Sequence, residues 1–134
     1  MCSVSVWEVI GKFLRVDGWL HFRDDEVMEL NAFELPLFSV DKEAELGSTE
    51  LAAKPFAKFG ECDALMIFFA EHNGSYTAAY KNLFDWCSGI DQKVFRKKPM
   101  VMVATLPGGR GASMVLATAF ESASRFGGDV KASL

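Results

Sequence analysis

Hydrophobic and polar residues alternate along the chain in blocks that predict strands followed by helices. Two apolar stretches, the run 64–70 and residues 100–105, predict strands that are buried on both faces. Each is followed by a polar loop containing glycine and then by apolar residues at helical spacing, in 77–90 and 112–123. This order is typical of an α/β protein whose parallel sheet is covered by helices on both faces.

The stretch before the first buried strand is less regular. We expect a short strand over 27–30 and then a helix capped by Ser48. A proline inside a helix removes a backbone hydrogen bond and costs about 3 kcal/mol unless the helix kinks. The sequence therefore predicts a kink or break at Pro55 and an end of the helix at Gly60.

The first 26 residues follow a different pattern. Asp17-Gly18 lies between two apolar-rich arms, which predicts a β-hairpin. Cys2, Val4 and Val6 alternate with serines, which favours another short strand.

At the other end of the chain, residues 130–134 predict a short last strand. We therefore expect one domain over 1–134, with an atypical N-terminal segment (1–26) and a regular core (27–134). The sheet of this domain would have an altered N-terminal strand or hairpin and a truncated last strand.

Composition excludes several classes of protein. Half of the 134 residues are apolar and 12 are phenylalanine, which indicates one domain with a real core. The net charge of -4 gives no general attraction to nucleic acid or to anionic membranes. No apolar run approaches the roughly 20 residues of a membrane-spanning helix. Three scattered cysteines and two histidines predict buried thiols in a reducing cytoplasm and no metal site.

The candidate chemistry lies in two loops, 70–75 and 105–112. Each follows a predicted parallel strand, so both should face one crevice at the carboxyl ends of the strands, where α/β proteins bind small ligands and nucleotides. The second loop contains three glycines, which allow backbone N–H groups to approach a planar or anionic ligand. None of the cysteines is spaced with a base, so we assign no nucleophile.

At these residues the chain resembles the NADPH-dependent FMN reductase family, which includes quinone, chromate and azo-dye reductases of flavodoxin-like fold. The resemblance covers roughly 27–134. Glu71-His72-Asn73-Gly74-Ser75, followed by Lys81-Asn82 and Asp85-Trp86, is similar to the family's Pro-Glu-Tyr-Asn-x-Ser loop and its Leu-Lys-Asn-x-x-Asp-Trp helix. Pro107-Gly108-Gly109-Arg110-Gly111 is similar to the family's second flavin-edge loop.

The resemblance implies a cofactor, an activity and a set of site residues. The family binds FMN and uses NAD(P)H to reduce a small-molecule electron acceptor such as a quinone. Carried over position by position, it places four residues beside the isoalloxazine and the ribityl chain: Glu71, His72, Asn73 and Ser75. It places five more along the pyrimidine edge of the flavin: Pro107, Gly108, Gly109, Arg110 and Gly111.

Two of these residues have a second interpretation from the sequence itself. The Glu71 carboxylate could instead accept hydrogen bonds from backbone donors at the start of a helix. His72 could be a loop residue that faces solvent rather than one that stacks on the flavin or hydrogen-bonds to it.

The resemblance does not extend to the N-terminus. The family has a Gly-Ser-x-Arg-x-x-Ser loop that holds the FMN phosphate, and residues 1–26 contain no such loop. Each charge-assisted hydrogen bond to a phosphate contributes about 1.5 to 3 kcal/mol, so we expect weakened FMN binding. Two other functions therefore stay open. One is a shortened family member without cofactor, inactive or acting as an interaction module, and the other is a protein that binds an aromatic ligand without redox chemistry.

The predicted helix 77–90 has an apolar arc wider than one sheet face requires. Either Tyr80 and Phe84 lie in the protein's own core, or they meet a second subunit. The second interpretation predicts a homodimer or homotetramer formed through this helix. Lys81 and Asp85, one turn apart, form a plausible surface or inter-subunit ion pair.

Overall fold

The computed structural model describes residues 7–16, 19–47, 49–105 and 112–133. Within these residues, five strands form one sheet in the order β2-β1-β3-β4-β5, accompanied by four α-helices. In chain order the elements are β1 (Trp7–Val16), β2 (Trp19–Glu29), a 3-10 turn (Leu30–Ala32), α1 (Val40–Leu46), α2 (Glu50–Glu61), β3 (Ala64–Ala70), α3 (Ala78–Ile90), β4 (Pro99–Thr105), α4 (Ser113–Ala123) and β5 (Asp129–Ser133).

The sheet combines a parallel half with an antiparallel hairpin. Strands β3, β4 and β5 are parallel, whereas β1 pairs antiparallel with both β2 and β3. Since β2 is antiparallel to β1, it runs in the same direction as β3. The carboxyl ends of β2, β3 and β4 therefore lie at one edge of the sheet, together with the start of β1. The order 2-1-3-4-5 is that of flavodoxin-like folds, here with the first strand reversed.

The hairpin confirms the prediction from Asp17-Gly18, although those two residues lie outside the described residues. Its second strand is longer than expected, because the strand predicted over 27–30 is the last part of β2, which begins at Trp19. The charged run 23–26 hid this strand in the sequence, and such charges are common on edge strands. The strand expected around Val4 lies outside the described residues.

The core lies between the parallel strands and three helices. Leu65, Ile67 and Phe69 of β3 are buried at alternate positions, and so are Met100 and Met102 of β4. They form one cluster with buried residues of the three helices: Phe56 and Phe59 of α2, Leu83 and Cys87 of α3, and Val115, Ala119 and Ala123 of α4. The parallel pairing of β3 with β4 confirms the expectation drawn from the two apolar runs.

The expectations for α2 were wrong in three respects. Its cap is Thr49, whose Oγ1 accepts a hydrogen bond from Ala52 N at 3.3 Å, and not Ser48, which lies outside the described residues. The expected break at Pro55 is absent, because the helix continues through this residue and its buried ring offsets the lost hydrogen bond; a kink there stays a prediction. It also continues past Gly60, whose carbonyl oxygen accepts a hydrogen bond from Lys98 Nζ at 3.0 Å.

Candidate functional site

A tight turn at the carboxyl end of β3 forms the centre of the candidate site. His72 N donates to Ser75 O, and Ser75 N donates to His72 O, both at 3.0 Å. Asn73 and Gly74 between them have φ values of 51° and 75°. Two successive residues of positive φ define a type I′ turn, for which Asn-Gly is the preferred sequence. The local sequence therefore fixes the shape of this turn.

Glu71 connects this turn to the helix that follows the second loop. The residue is only 8% exposed. One carboxylate oxygen, Oε2, accepts hydrogen bonds from Met114 N at 3.1 Å and from Val115 N at 3.0 Å. The residue that precedes α4 is Ala112, which has no side-chain oxygen for capping and has a φ of 59°. Glu71 therefore does for α4 what an N-cap side chain normally does.

The structure places the other site residues of the first loop in solvent. His72, Asn73 and Ser75 are exposed at the edge where the parallel strands end. The five residues from Pro107 to Gly111 lie outside the described residues, so the common crevice of the two loops stays a prediction. The bonds from Glu71 to the first turn of α4 do bring the start of that helix beside the turn 72–75.

Asn82, which the resemblance included without a role, holds the loop after β2. Its Oδ1 accepts a hydrogen bond from Phe38 N at 2.8 Å, and its Nδ2 donates to Leu35 O at 3.1 Å and to Pro36 O at 3.2 Å. All three partners are backbone atoms more than 40 positions away in the chain. One polar side chain on α3 thus fixes the path of this loop.

Trp86, one turn further along α3, supports the same loop. Its indole Nε1 donates to Pro36 O at 2.8 Å, and its ring meets that of Phe38 edge-to-face at 5.3 Å between centroids. The spacing of Asn82 and Trp86 places both side chains on one face of the helix. In the sequence, only the similarity to the family's Leu-Lys-Asn-x-x-Asp-Trp helix pointed to these two residues, and it did not predict their contact with the loop.

An open groove of about 400 Å³ lies between this loop and the first turn of α3. Phe33, Glu34 and Leu35 line one side, and Ala78 and Ala79 line the other. The loop that Asn82 holds is therefore one wall of a concave surface next to the candidate site.

A second groove, of about 220 Å³, lies between α3 and α4. Its floor is aromatic: Tyr80 stacks on Phe84 at 5.8 Å, and Phe84 meets Phe126 edge-to-face at 4.8 Å. Tyr80 is 6% exposed and belongs to the core cluster. Contacts within the chain thus account for much of the wide apolar arc of α3.

Tyr76 links the turn to this second groove. Its ring packs on Tyr80 at 4.9 Å between centroids and on Phe69 at 5.6 Å. Burial raises the pKa of the Tyr76 hydroxyl above its ordinary value, and a hydrogen bond with Ser122 partly opposes that rise. Tyr76 therefore stays protonated over the neutral pH range.

Among the described residues, the site suits the ring of FMN, whereas the first strand does not end where the phosphate of such folds is held. The turn 72–75 presents exposed polar groups at the edge where the parallel strands end, which suits the rim of a flavin ring. The FMN phosphate of such folds needs donors at the carboxyl end of the first strand. In this chain β1 is reversed, so its carboxyl end, Val16, lies at the opposite edge, and β1 continues into β2 across only residues 17–18.

In the part of the chain that the structure describes, no group of three or more His, Cys, Asp or Glu side chains could hold a metal ion. The helices found there are all too short or too polar to span a bilayer.

The fold and this site define a flavodoxin-like α/β protein. Its sequence matches the family model described as NADPH-dependent FMN reductase over residues 8–130, and the chain therefore belongs to that family. Among solved structures, the chain is similar to FerB, a flavoenzyme NAD(P)H:(acceptor) oxidoreductase from Paracoccus denitrificans, at 25% identity with a TM-score of 0.63. That match covers 75% of this chain but only 55% of FerB. A search of curated protein sequences finds no significant match.

Proposed function

We propose that this protein is an NAD(P)H-dependent oxidoreductase that transfers electrons through a bound flavin to a quinone-like or other small acceptor. The observation that carries the proposal is the type I′ turn 72–75 at the carboxyl end of β3, tied to the first turn of α4 by Glu71. It lies within the stretch that matches the reductase family. The similarity to FerB supports the same class of activity.

The protein's own residues would bind and orient rather than react. His72, Asn73 and Ser75 would supply exposed polar groups beside the ring, with Pro107 to Gly111 along its pyrimidine edge. A bound flavin supplies the chemistry, since it accepts a hydride from the nicotinamide and passes electrons to the acceptor. The rigid turn would keep its donors in place where negative charge develops on the ring.

The test is flavin-dependent oxidation of NAD(P)H. Purified protein with added FMN or riboflavin should oxidise NADPH or NADH in the presence of a benzoquinone, above the rate given by free flavin. Gly74→Val should abolish this activity, because a branched side chain at a φ of 75° distorts the turn and meets the Met114 side chain.

Gly47→Val is the matched control. Gly47 also has a positive φ, 65°, but it lies at the end of α1 and has no neighbouring atom within 4 Å of a Cβ at that position. This variant should keep the activity of the unmodified protein. A rate equal to that of free flavin for the unmodified protein would refute the proposal.

A second candidate function is a family member that binds no cofactor and acts as an interaction module. The reversed strand β1 favours it, because the usual place of the phosphate donors is lost. Absence of flavin binding together with a well-folded protein would support this candidate.

We also propose that the protein forms a homodimer through the α3–α4 groove. Lys81 Nζ and Asp85 Oδ1 lie 2.6 Å apart on its rim, with their side chains 55% and 30% exposed. If two α3 helices pack antiparallel about a two-fold axis that crosses them midway between Lys81 and Asp85, the lysine of each copy lies opposite the aspartate of the other. The groove is thus complementary in charge to a second copy of itself.

A further inference from the structure

We propose that the groove between α3 and α4 binds a small planar aromatic molecule that carries an O–H or N–H donor, such as a phenol or an aromatic amine. This binding site is separate from the turn 72–75 and goes beyond the electron transfer proposed above. It is formed by the aromatic rings on the floor of the groove and by the hydroxyl groups along its rim.

The floor of the groove offers aromatic surface to a ligand. The rings of Tyr80 and Phe84 lie nearly parallel, with an interplanar angle of 26°, and Phe126 stands edge-on to Phe84 at 87°. Phe84 and Phe126 both line the groove and are only half-buried. A planar ring bound on this floor therefore buries apolar surface and stacks on or meets the edges of these rings.

The volume of the groove limits the size of the ligand. The groove measures about 220 Å³. An apolar cavity of about 150 Å³ holds one benzene ring, whereas sites for drug-sized ligands measure about 300 to 1,000 Å³. The groove therefore suits one ring or two fused rings, which is less than a flavin or a dinucleotide.

The rim of the groove presents hydroxyl groups that act as hydrogen-bond acceptors. A hydroxyl group has one proton to donate and two lone pairs that accept. Ser88 Oγ donates to Asp85 O at 2.7 Å, and Thr118 Oγ1 donates to Met114 O at 3.0 Å. Each proton is thus used within its own helix. Both hydroxyl groups can therefore meet a ligand only as acceptors.

The other polar groups of the rim are engaged with one another. Lys81 Nζ lies 2.6 Å from both carboxylate oxygens of Asp85. The Tyr76 hydroxyl has a hydrogen bond with Ser122. A ligand that only accepts hydrogen bonds therefore meets donors that already have partners, whereas a ligand that donates meets the lone pairs of Ser88 and Thr118.

The same groove is the proposed face of the homodimer. A ligand on the aromatic floor and a second copy of the chain would cover the same rings, so each excludes the other. Ligand binding should therefore shift the protein from dimers towards monomers. This consequence rests on the proposed homodimer, whereas the binding of the ligand does not.

The experiment compares two probes of nearly the same shape, 1-naphthol and 1-methoxynaphthalene, of which only 1-naphthol can donate a hydrogen bond. Equilibrium dialysis measures their affinities and requires neither a flavin nor turnover. The unmodified protein should bind 1-naphthol about three- to tenfold more tightly than 1-methoxynaphthalene. Competition with a second copy weakens both probes equally, so this ratio does not depend on the homodimer.

Hydroxyl variants test the donor preference. The double variant Ser88→Ala, Thr118→Val removes both acceptors and should bring the ratio of the two affinities to within about twofold of one. Its affinity for 1-methoxynaphthalene should stay within about twofold of the unmodified protein's. Ser124→Ala is the matched control, because it removes an exposed hydroxyl group of α4 that does not line the groove. It should leave the ratio unchanged.

Ring variants test the position of the site. Phe126→Leu removes one ring from the floor and should weaken both probes about two- to tenfold. Phe120→Leu is the matched control: this phenylalanine of α4 is 54% exposed and does not line the groove. It should leave both affinities unchanged.

Equal affinities of the unmodified protein for the two probes, or an unchanged ratio in the double variant, would overturn the donor preference. Failure to bind either probe, or equal weakening by Phe126→Leu and Phe120→Leu, would overturn the site itself. Sedimentation should show dimers without ligand and monomers at saturating 1-naphthol. Dimers that persist at saturation would overturn the exclusion. Monomers under both conditions would overturn the exclusion together with the homodimer, while the binding measurements would still decide the site.

Discussion

Asn82 Oδ1 accepts a hydrogen bond of 2.8 Å from Phe38 N, although the two residues are 44 positions apart in the chain. With its two donor bonds to Leu35 O and Pro36 O, this amide replaces the regular backbone partners that an extended loop lacks. The loop after β2 thus depends on one side chain of α3.

Replacement of Asn82 should therefore destabilise the protein. We expect Asn82→Ala to lower the free energy of unfolding by about 1 to 3 kcal/mol, since three hydrogen bonds are lost in a partly buried position. Asn82→Asp keeps the acceptor for Phe38 N but places a negative charge against the carbonyl oxygens of Leu35 and Pro36. It should therefore lower the free energy of unfolding at least as much as Asn82→Ala does. Urea unfolding measures both variants. A loss below about 0.5 kcal/mol for both would show that the loop is held by other contacts.

The half-buried side chain of Tyr76 should make stability fall at high pH. Burial raises the pKa of Tyr76 in the folded protein, so its contribution is complete below the unfolded pKa of about 10 and is lost as pH rises from there through the folded pKa. Tyr76→Phe should remove this part of the pH dependence and cost about 1 kcal/mol at neutral pH through loss of the bond to Ser122.

Ser122→Ala is the control for that experiment. This variant removes the hydrogen bond that lowers the pKa of Tyr76, but the Tyr76 hydroxyl itself remains. The decline in stability above about pH 10 should therefore persist. Unfolding in urea between neutral pH and pH 11 gives the comparison. Equal pH profiles for Tyr76→Phe and the unmodified protein would contradict the assignment to Tyr76.

Charge exchange at Lys81 and Asp85 tests the proposed homodimer. Asp85→Lys should give monomers, because two lysines of each copy then face two of the other. The double variant Lys81→Asp, Asp85→Lys should restore the dimer, since the pattern stays self-complementary about a two-fold axis. Sedimentation at micromolar concentration measures both. A monomeric unmodified protein would contradict the homodimer.

The features that the sequence predicted correctly depend on local patterns. Asn73-Gly74 specifies its own turn because both residues tolerate positive φ, and the apolar stretches 64–70 and 100–105 specify parallel strands. The expected burial on both faces was wrong, because mainly alternate residues of these strands are fully buried and the others are half-buried. The other features depend on tertiary contacts. Burial of Pro55 in the core overrides the helix break that its missing N–H favours, and no local signal connects Asn82 with Phe38.

The candidate site shows the same division. From the sequence, Glu71 could either contact the flavin or accept hydrogen bonds from the start of a helix. The structure shows the second role, because the whole sheet places α4 so that its first N–H groups reach the Glu71 carboxylate. The reversed direction of β1 was foreseen only as an altered strand or hairpin. The pairing of Trp7 with Phe68 places the start of β1, and not its end, at the site. The end of the first strand, where such folds hold the phosphate, therefore lies at the opposite edge.

A titration of the purified protein with riboflavin and with FMN, followed by flavin fluorescence, tests the central claim most directly. The ring contacts are common to both ligands, and the phosphate alone distinguishes them. Because the carboxyl end of β1 lies at the opposite edge of the sheet from the site, we expect the phosphate to add little. Riboflavin should therefore bind within about tenfold of FMN. A submicromolar FMN affinity with about a hundredfold preference over riboflavin, or no binding of either flavin, would contradict the account.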